Sequence, residues 1–247
     1  MAALDLDALT PAAIAATLAG EPHARAAFIR AAAEAGHAEA QAVWGQMLLD
    51  GTDTPADARA ALGWFVKAAA QHHVMALNMV GRCYDLGWGT APDKARAAAC
   101  YRSAADRGLD WAMYNYATLL ALGHGVAEDK PAALGWLEQA ATGTGLAAAK
   151  AINVVGSFAE DGWAGPRDLA KAADCYARAA AGGDFRGCFN HARMLAAAGE
   201  AGAALPWLRR AGALGNARFV AQAETWLATN DALGPHALAA LREGAAC

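Results

Sequence analysis

The chain has 247 residues, 73 of them alanine, with 20 basic and 24 acidic side chains and a formal net charge of −4. Alanine is the best helix former and strand-favouring Val, Ile and Thr are sparse, so an all-α protein is expected. The charge excludes a basic surface that would draw in nucleic acid by counterion release. It also excludes a polybasic membrane anchor, and no uninterrupted apolar run of about 18 residues exists to span a bilayer.

The amino-terminal stretch MAALDLDALTPAAIAATLAGEPHARAAF has two Asp and no Lys or Arg before its apolar run, unlike a secretory leader. Residues 1–36 are read as a helical cap, with Leu4–Leu18 as its first apolar helix. From Gly45 the sequence repeats itself. The 28-residue blocks GQMLLDGTDTPADARAALGWFVKAAAQH, GRCYDLGWGTAPDKARAAACYRSAADRG, ATLLALGHGVAEDKPAALGWLEQAATGT and GSFAEDGWAGPRDLAKAADCYARAAAGG start at Gly45, Gly81, Ala117 and Gly156, spaced 36, 36 and 39 residues apart. A fixed period of this length is the mark of a stacked array whose units bury their apolar faces against their neighbours.

One unit shows how the pattern works. Leu77, Val80, Cys83 and Tyr84 fall on one face of a predicted first helix. Gly87 stops it. Asp93 then caps a second helix with Ala97, Cys100, Tyr101 and Ala104 on its apolar face. The punctuation recurs: Asp57, Asp93, Asp129 and Asp168 as caps, Gly51, Gly87, Gly123 and Gly162 as stops. Phe65, Tyr101, Leu137 and Tyr176 share one packing position. Repeated in every unit, these Asp residues are read as caps rather than catalytic acids.

The units are bounded at 37–72, 73–108, 109–144, 145–183 and 184–215. Three added residues near TGTGLAA predict a longer turn before the fourth. The fifth is short and lacks the G-x-G loop. Residues 216–247 read as a carboxyl-terminal helical cap. Five cysteines, with no pair recurring in each unit, point to reduced thiols and a cytoplasmic protein.

Candidate chemistry is thin. Asp184, Cys188 and His191 share the spacing of one helix face, where a metal or small ligand could bind. Asp184 is better read as a helix cap and His191 as a hydrogen-bonded core residue. His72 and His73 read as a polar turn, and His23 and His37 as surface. The GWGT and GHGV loops lack a following GK[ST] and so do not form a phosphate cradle. No catalytic residue, metal or cofactor is assigned.

GRCYDLGWGTAPDKARAAACYRSAADRG and GHGVAEDKPAALGWLEQAA resemble the Sel-1-like repeat, a relative of the tetratricopeptide repeat, over about residues 37–215. The resemblance implies a right-handed α-solenoid of antiparallel helix pairs, a non-enzymatic adaptor whose concave groove holds a protein or peptide. It also raises an accessory role in bacterial iron homeostasis through a protein partner. In such an array the first helix of each pair lines the groove. The positions not needed for packing are then Asn78, Arg82 and Asp85 in the second unit and Trp111 and Tyr114 in the third. They are Lys150, Asn153 and Ser157 in the fourth, and Arg186, Phe189, Arg193 and Arg218 toward the carboxyl end. Aromatic and Arg side chains are the usual anchors of protein interfaces. The three Arg predict a docking point for a partner carboxylate.

Overall fold

A computed structural model describes residues 10–230, 233 and 236–246. Among the described residues there are fourteen α-helices and no strand. They are α1 Pro11–Ala19, α2 Pro22–Glu34, α3 Ala38–Asp50, α4 Ala58–Ala70, α5 Val74–Leu86, α6 Lys94–Ala105 and α7 Asp110–Leu122. There follow α8 Lys130–Ala140, α9 Gly145–Asp161, α10 Leu169–Ala181, α11 Phe185–Ala197, α12 Ala201–Leu214, α13 Ala217–Ala228 and α14 Ala237–Ala245. The fold is an α-solenoid of antiparallel helix pairs. The segment expected to form a helix from Leu4 lies partly outside the described residues, and α1 begins at Pro11 behind a Thr10 cap.

The chain divides into two compact units: Met1–Ala112 with Gly123–Glu128, and Met113–Leu122 with Asp129–Cys247. In the first, α3 pairs with α4 and α5 with α6, and α2 covers α3. In the second, α9 pairs with α10 and α11 with α12, and α14 closes on α12.

The repeated Asp residues form each hairpin twice over. Asp57, Asp93, Asp129 and Asp168 accept hydrogen bonds of 2.9 to 3.0 Å from the backbone N–H three residues on. Their own N–H groups donate to Leu48, Tyr84, Leu120 and Ala159 at 2.8 to 3.0 Å, tying each loop back to the first helix. Gly51, Gly87, Gly123 and Gly162 take φ between 66° and 76°, a region that favours glycine. The loop's second glycine has a different task. A Cβ on Gly89 would collide with the Ala58 backbone, and one on Gly125 with that of Lys94. The loop therefore lies directly on the start of the preceding hairpin's second helix.

Inside each hairpin one ring or branched side chain faces one small residue. A Cβ on Gly45, Gly81 or Gly156 would sit 2.7–2.8 Å from the ring of Phe65, Tyr101 or Tyr176. These rings are 1% exposed. The third repeat places Ala117 and Leu137 at the equivalent positions, both fully buried. Ring with glycine and Leu with alanine are two fillings of the same space, as close packing demands.

Two expectations need correction. The residues added before the fourth repeat do not lengthen the turn. They extend α9, which has 17 residues against 13 for α7, since Leu-Ala-Ala-Ala continues a helix more readily than it forms a loop. His73 is not merely a polar turn residue. Its Nδ1 accepts from the Ala76 N–H at 3.0 Å, capping α5, and its Nε2 lies 2.8 Å from Glu39. At the carboxyl end, a Cβ on Gly212 or Gly244 would overlap the backbone of the opposite helix, so α12 and α14 touch main chain to main chain.

Candidate functional site: polar faces of the first helices

Two of the buried rings carry hydroxyls, and burial demands a partner for them. Tyr101 donates to Asp85 at 3.3 Å and Tyr176 to Glu160 at 2.6 Å. Burial, followed by the adjacent carboxylate, pushes both phenols well above their ordinary range. Where the side chain at that position has no hydroxyl (Phe65, Leu137), the chain has Leu49 and Ala121 in place of the carboxylate. Asp85 and Glu160 thus exist first to satisfy their own tyrosines.

In the first unit, Asp85 is also paired with Lys94, whose Nζ donates to the Asp85 carbonyl at 2.8 Å. The Arg82 guanidinium lies over Trp88, 4.6 Å from the ring centre. Asn78 is 3% exposed and reaches the Met75 sulfur.

In the second unit the polar residues of α9 meet those of α11. Lys150 Nζ is 3.4 Å from Asp184, a carboxylate that is itself 1% exposed and caps α11 through the Gly187 N–H at 2.9 Å. Asn190 donates to Asn153 at 2.9 Å. Arg193 binds Glu160 through two nitrogens, at 3.2 and 3.0 Å, and donates to Asn190 as well. Burial alone would raise the Glu160 carboxyl. The hydrogen bonds of Arg193 and Tyr176, with the charges of Arg193 and Arg167, outweigh it and hold the group below its ordinary value. The Ser157 hydroxyl lies 3.3 Å from the Tyr176 oxygen and donates to the Asn153 carbonyl at 3.4 Å.

A ring cluster adjoins this seam. Phe185 and Phe219 are 4.6 Å apart, and Phe189 meets Phe219 and Trp226 edge-on at 5.9 and 5.5 Å. Arg186 lies over Phe185 at 4.7 Å and Arg193 over Trp226 at 5.8 Å. Tyr114 is half-buried; burial raises its hydroxyl, with Arg186 opposing and Asp184 adding. Trp111 is likewise half-buried.

The expected groove residues therefore separate. Asn78, Asn153 and Phe189, 3%, 5% and 9% exposed, do not project outward. They pack, because the neighbouring side chains of the array cover positions that a single helical wheel leaves open. Arg82, Asp85, Lys150, Ser157 and Arg193 stay half-exposed but are held by internal partners. Arg193 is not open to a partner carboxylate; Glu160 already occupies it. Arg186 and Arg218 are exposed.

The Asp184–Cys188–His191 face does not converge. Asp184 caps, Cys188 donates to the Ala180 carbonyl, and its fully buried thiol is pushed up to about 11 by burial. Against expectation, the buried His191 Nδ1 has no hydrogen-bond partner among the described residues, and the ring sits edge-on to Trp207 at 5.1 Å. Among the described residues no three His, Cys, Asp or Glu side chains gather as a metal site, and no helix is long and apolar enough to cross a membrane.

No curated protein matches the chain. Solved structures do. A protective antigen of uropathogenic Escherichia coli with an SLR fold aligns at 25% identity and TM-score 0.66, over 95% of this chain and 52% of its own, so the chain spans about half of that protein. A Sel1 repeat protein of Oxalobacter formigenes aligns at 24% identity and TM-score 0.67, over 89% of this chain and 94% of its own. A further Sel1-type protein, from Klebsiella pneumoniae, aligns at 21% identity and TM-score 0.55, over 81% and 98%. The family pattern described as Sel1 repeat matches residues 38–73, 74–109, 112–144 and 149–184. Those four segments cover more than half of the sequence and coincide with the hairpins bounded by Asp57, Asp93, Asp129 and Asp168, and the chain belongs to the Sel1 repeat family.

Proposed function

We propose that this protein is a non-enzymatic scaffold that holds a protein partner against the exposed faces of its first helices. Proteins of this family are in general interaction scaffolds. The observation that carries the reading is the face of α11 and α13, where half-buried Phe185 lies beside exposed Arg186 and half-buried Trp226 beside Arg193. Rings and Arg side by side on one surface are typical of interface anchors. The internal bonds of Arg193, Lys150 and Asn190 fix the surrounding side chains, so little rotamer entropy is lost when a partner docks. The four described cysteines are free thiols, which supports a cytoplasmic setting.

The test is site-specific photocrosslinking in cells. A benzophenone side chain replaces Tyr114 or Trp226 on the first-helix faces, or Arg102 on a second helix. The same partner is expected from the first two positions and not from Arg102. Equal capture from all three, or none from any, refutes the proposal.

A further inference from the structure

Resting on that reading, we infer that the partner presents an acidic segment flanked by an apolar side chain, docked on a ledge at the amino-terminal ends of α11 and α13 that carries Arg186, Arg218 and Phe185. The inference starts from which charges are already satisfied. On α9, α11 and α13 the carboxylates and bases pair off: Asp184 with Lys150, Glu160 with Arg193, and Glu224 with Arg242. Asp161, the last residue of α9, is exposed. Arg186 and Arg218 remain, both exposed and, among the described residues, neither paired with a carboxylate. In a protein of net charge −4 they are a local excess of the opposite sign.

Their position argues against a role in stability. Each is the second residue of its helix, α11 or α13. A cation there is opposed by the helix macrodipole. The Lys150 ammonium also approaches the Phe185 ring, at 4.9 Å against 4.7 Å for the Arg186 guanidinium, but its charge is met by Asp184. Carboxylates arriving at this ledge would meet the two guanidinium charges and the positive ends of both helices. Arg offers them a planar, two-pronged donor. The half-buried Phe185 ring, backed by the buried Phe219, supplies an apolar contact beside Arg186, which favours a peptide with an aromatic or aliphatic residue among its acids over a bare anion.

The probe is a fluorescein-labelled, amidated peptide, Asp-Glu-Phe-Asp-Glu, read by anisotropy against the full chain. Saturable binding is expected, about tenfold weaker for Arg186→Ala and for Arg218→Ala, and weaker in higher salt. The double reversal Arg186→Glu with Arg218→Glu is expected to lose this peptide and take up Lys-Arg-Phe-Lys-Arg instead. Both side chains are exposed, so the variants should melt as the parent does. No binding at 1 mM overturns the inference. So do unchanged affinity in the double variant, binding only when the peptide has a free terminal carboxylate, and displacement by inorganic phosphate as effective as by unlabelled peptide. Photocrosslinking from Tyr114 and Trp226 separates the two readings. If it persists in the alanine variants, the scaffold stands and the ledge falls.

Discussion

Gly156 and Tyr176 should behave as one unit under mutation. In Gly156→Ala the new Cβ would lie 2.8 and 2.9 Å from two ring carbons and 3.1 Å from Cys175 Cβ. Carbon pairs need about 3.5–4.0 Å, so a ring that is 1% exposed must shift by most of an ångström. Overpacking of this kind costs about 1–3 kcal/mol. Alanine recovers about 1 kcal/mol of helix propensity, leaving a net loss of about 2 kcal/mol near the upper end. In a Tyr176→Leu background, itself destabilised by the lost ring and its bond to Glu160, the ring obstruction is gone and only the 3.1 Å approach to Cys175 Cβ remains. There Gly156→Ala should stabilise by about 1 kcal/mol. The third repeat, with Ala117 and Leu137, already holds this combination. Urea unfolding of the four proteins, followed by circular dichroism, gives the cycle. The expected coupling is about 3 kcal/mol with a change of sign. Additivity within about 0.5 kcal/mol would show the pair to be independent and refute the packing argument.

Glu160 predicts an acid sensitivity. Its folded carboxyl titrates below its ordinary value, so its contribution is complete above the unfolded carboxylate range and is lost as pH falls through the lowered value. Urea midpoints from pH 7 down to 3 should fall more steeply for the parent than for Glu160→Gln; parallel curves would contradict this. Asp168→Ala removes the cap bond to Lys171 N–H and should cost about 1 kcal/mol, seen as a Tm lower by about 2–4 °C. Gly89→Ala combines strained φ with a collision against Ala58 and should lower Tm by more than Asp168→Ala does. The Cys83 and Cys188 thiols, each pushed up to about 11 by burial, should resist iodoacetamide at pH 8 in the folded protein. Peptide mass mapping should show both labelled rapidly in urea.

Local chemistry made much of the fold legible. Asp57, Asp93, Asp129 and Asp168 announce helix starts because a carboxylate three residues before an N–H needs no tertiary context to cap it. Gly51 and Gly87 mark helix ends for the same local reason. The site was less legible. Asn153 and Asn190 are 37 residues apart, and Arg193 and Glu160 are 33 apart. A helical wheel assigns each of these to solvent or groove without seeing the opposite helix. His191 gave no warning that its Nδ1 would be left unbonded. One signal was readable and informative: Asp85 and Glu160 occur only in the repeats whose packing ring is Tyr101 or Tyr176, and hydrocarbon replaces both members elsewhere.

That co-occurrence bears on how such a gene can change. Gly81, Asp85 and Tyr101 all fall between residues 73 and 108, so duplication or recombination at hairpin borders transmits the trio intact and never orphans a phenol. The Glu160–Arg193 and Asn153–Asn190 links straddle such a border and would be severed by the same event. Interior chemistry is thereby inherited by the module, whereas the junctions must be rebuilt after every shuffle, and drift in the ancestral sequence should leave its heaviest trace there.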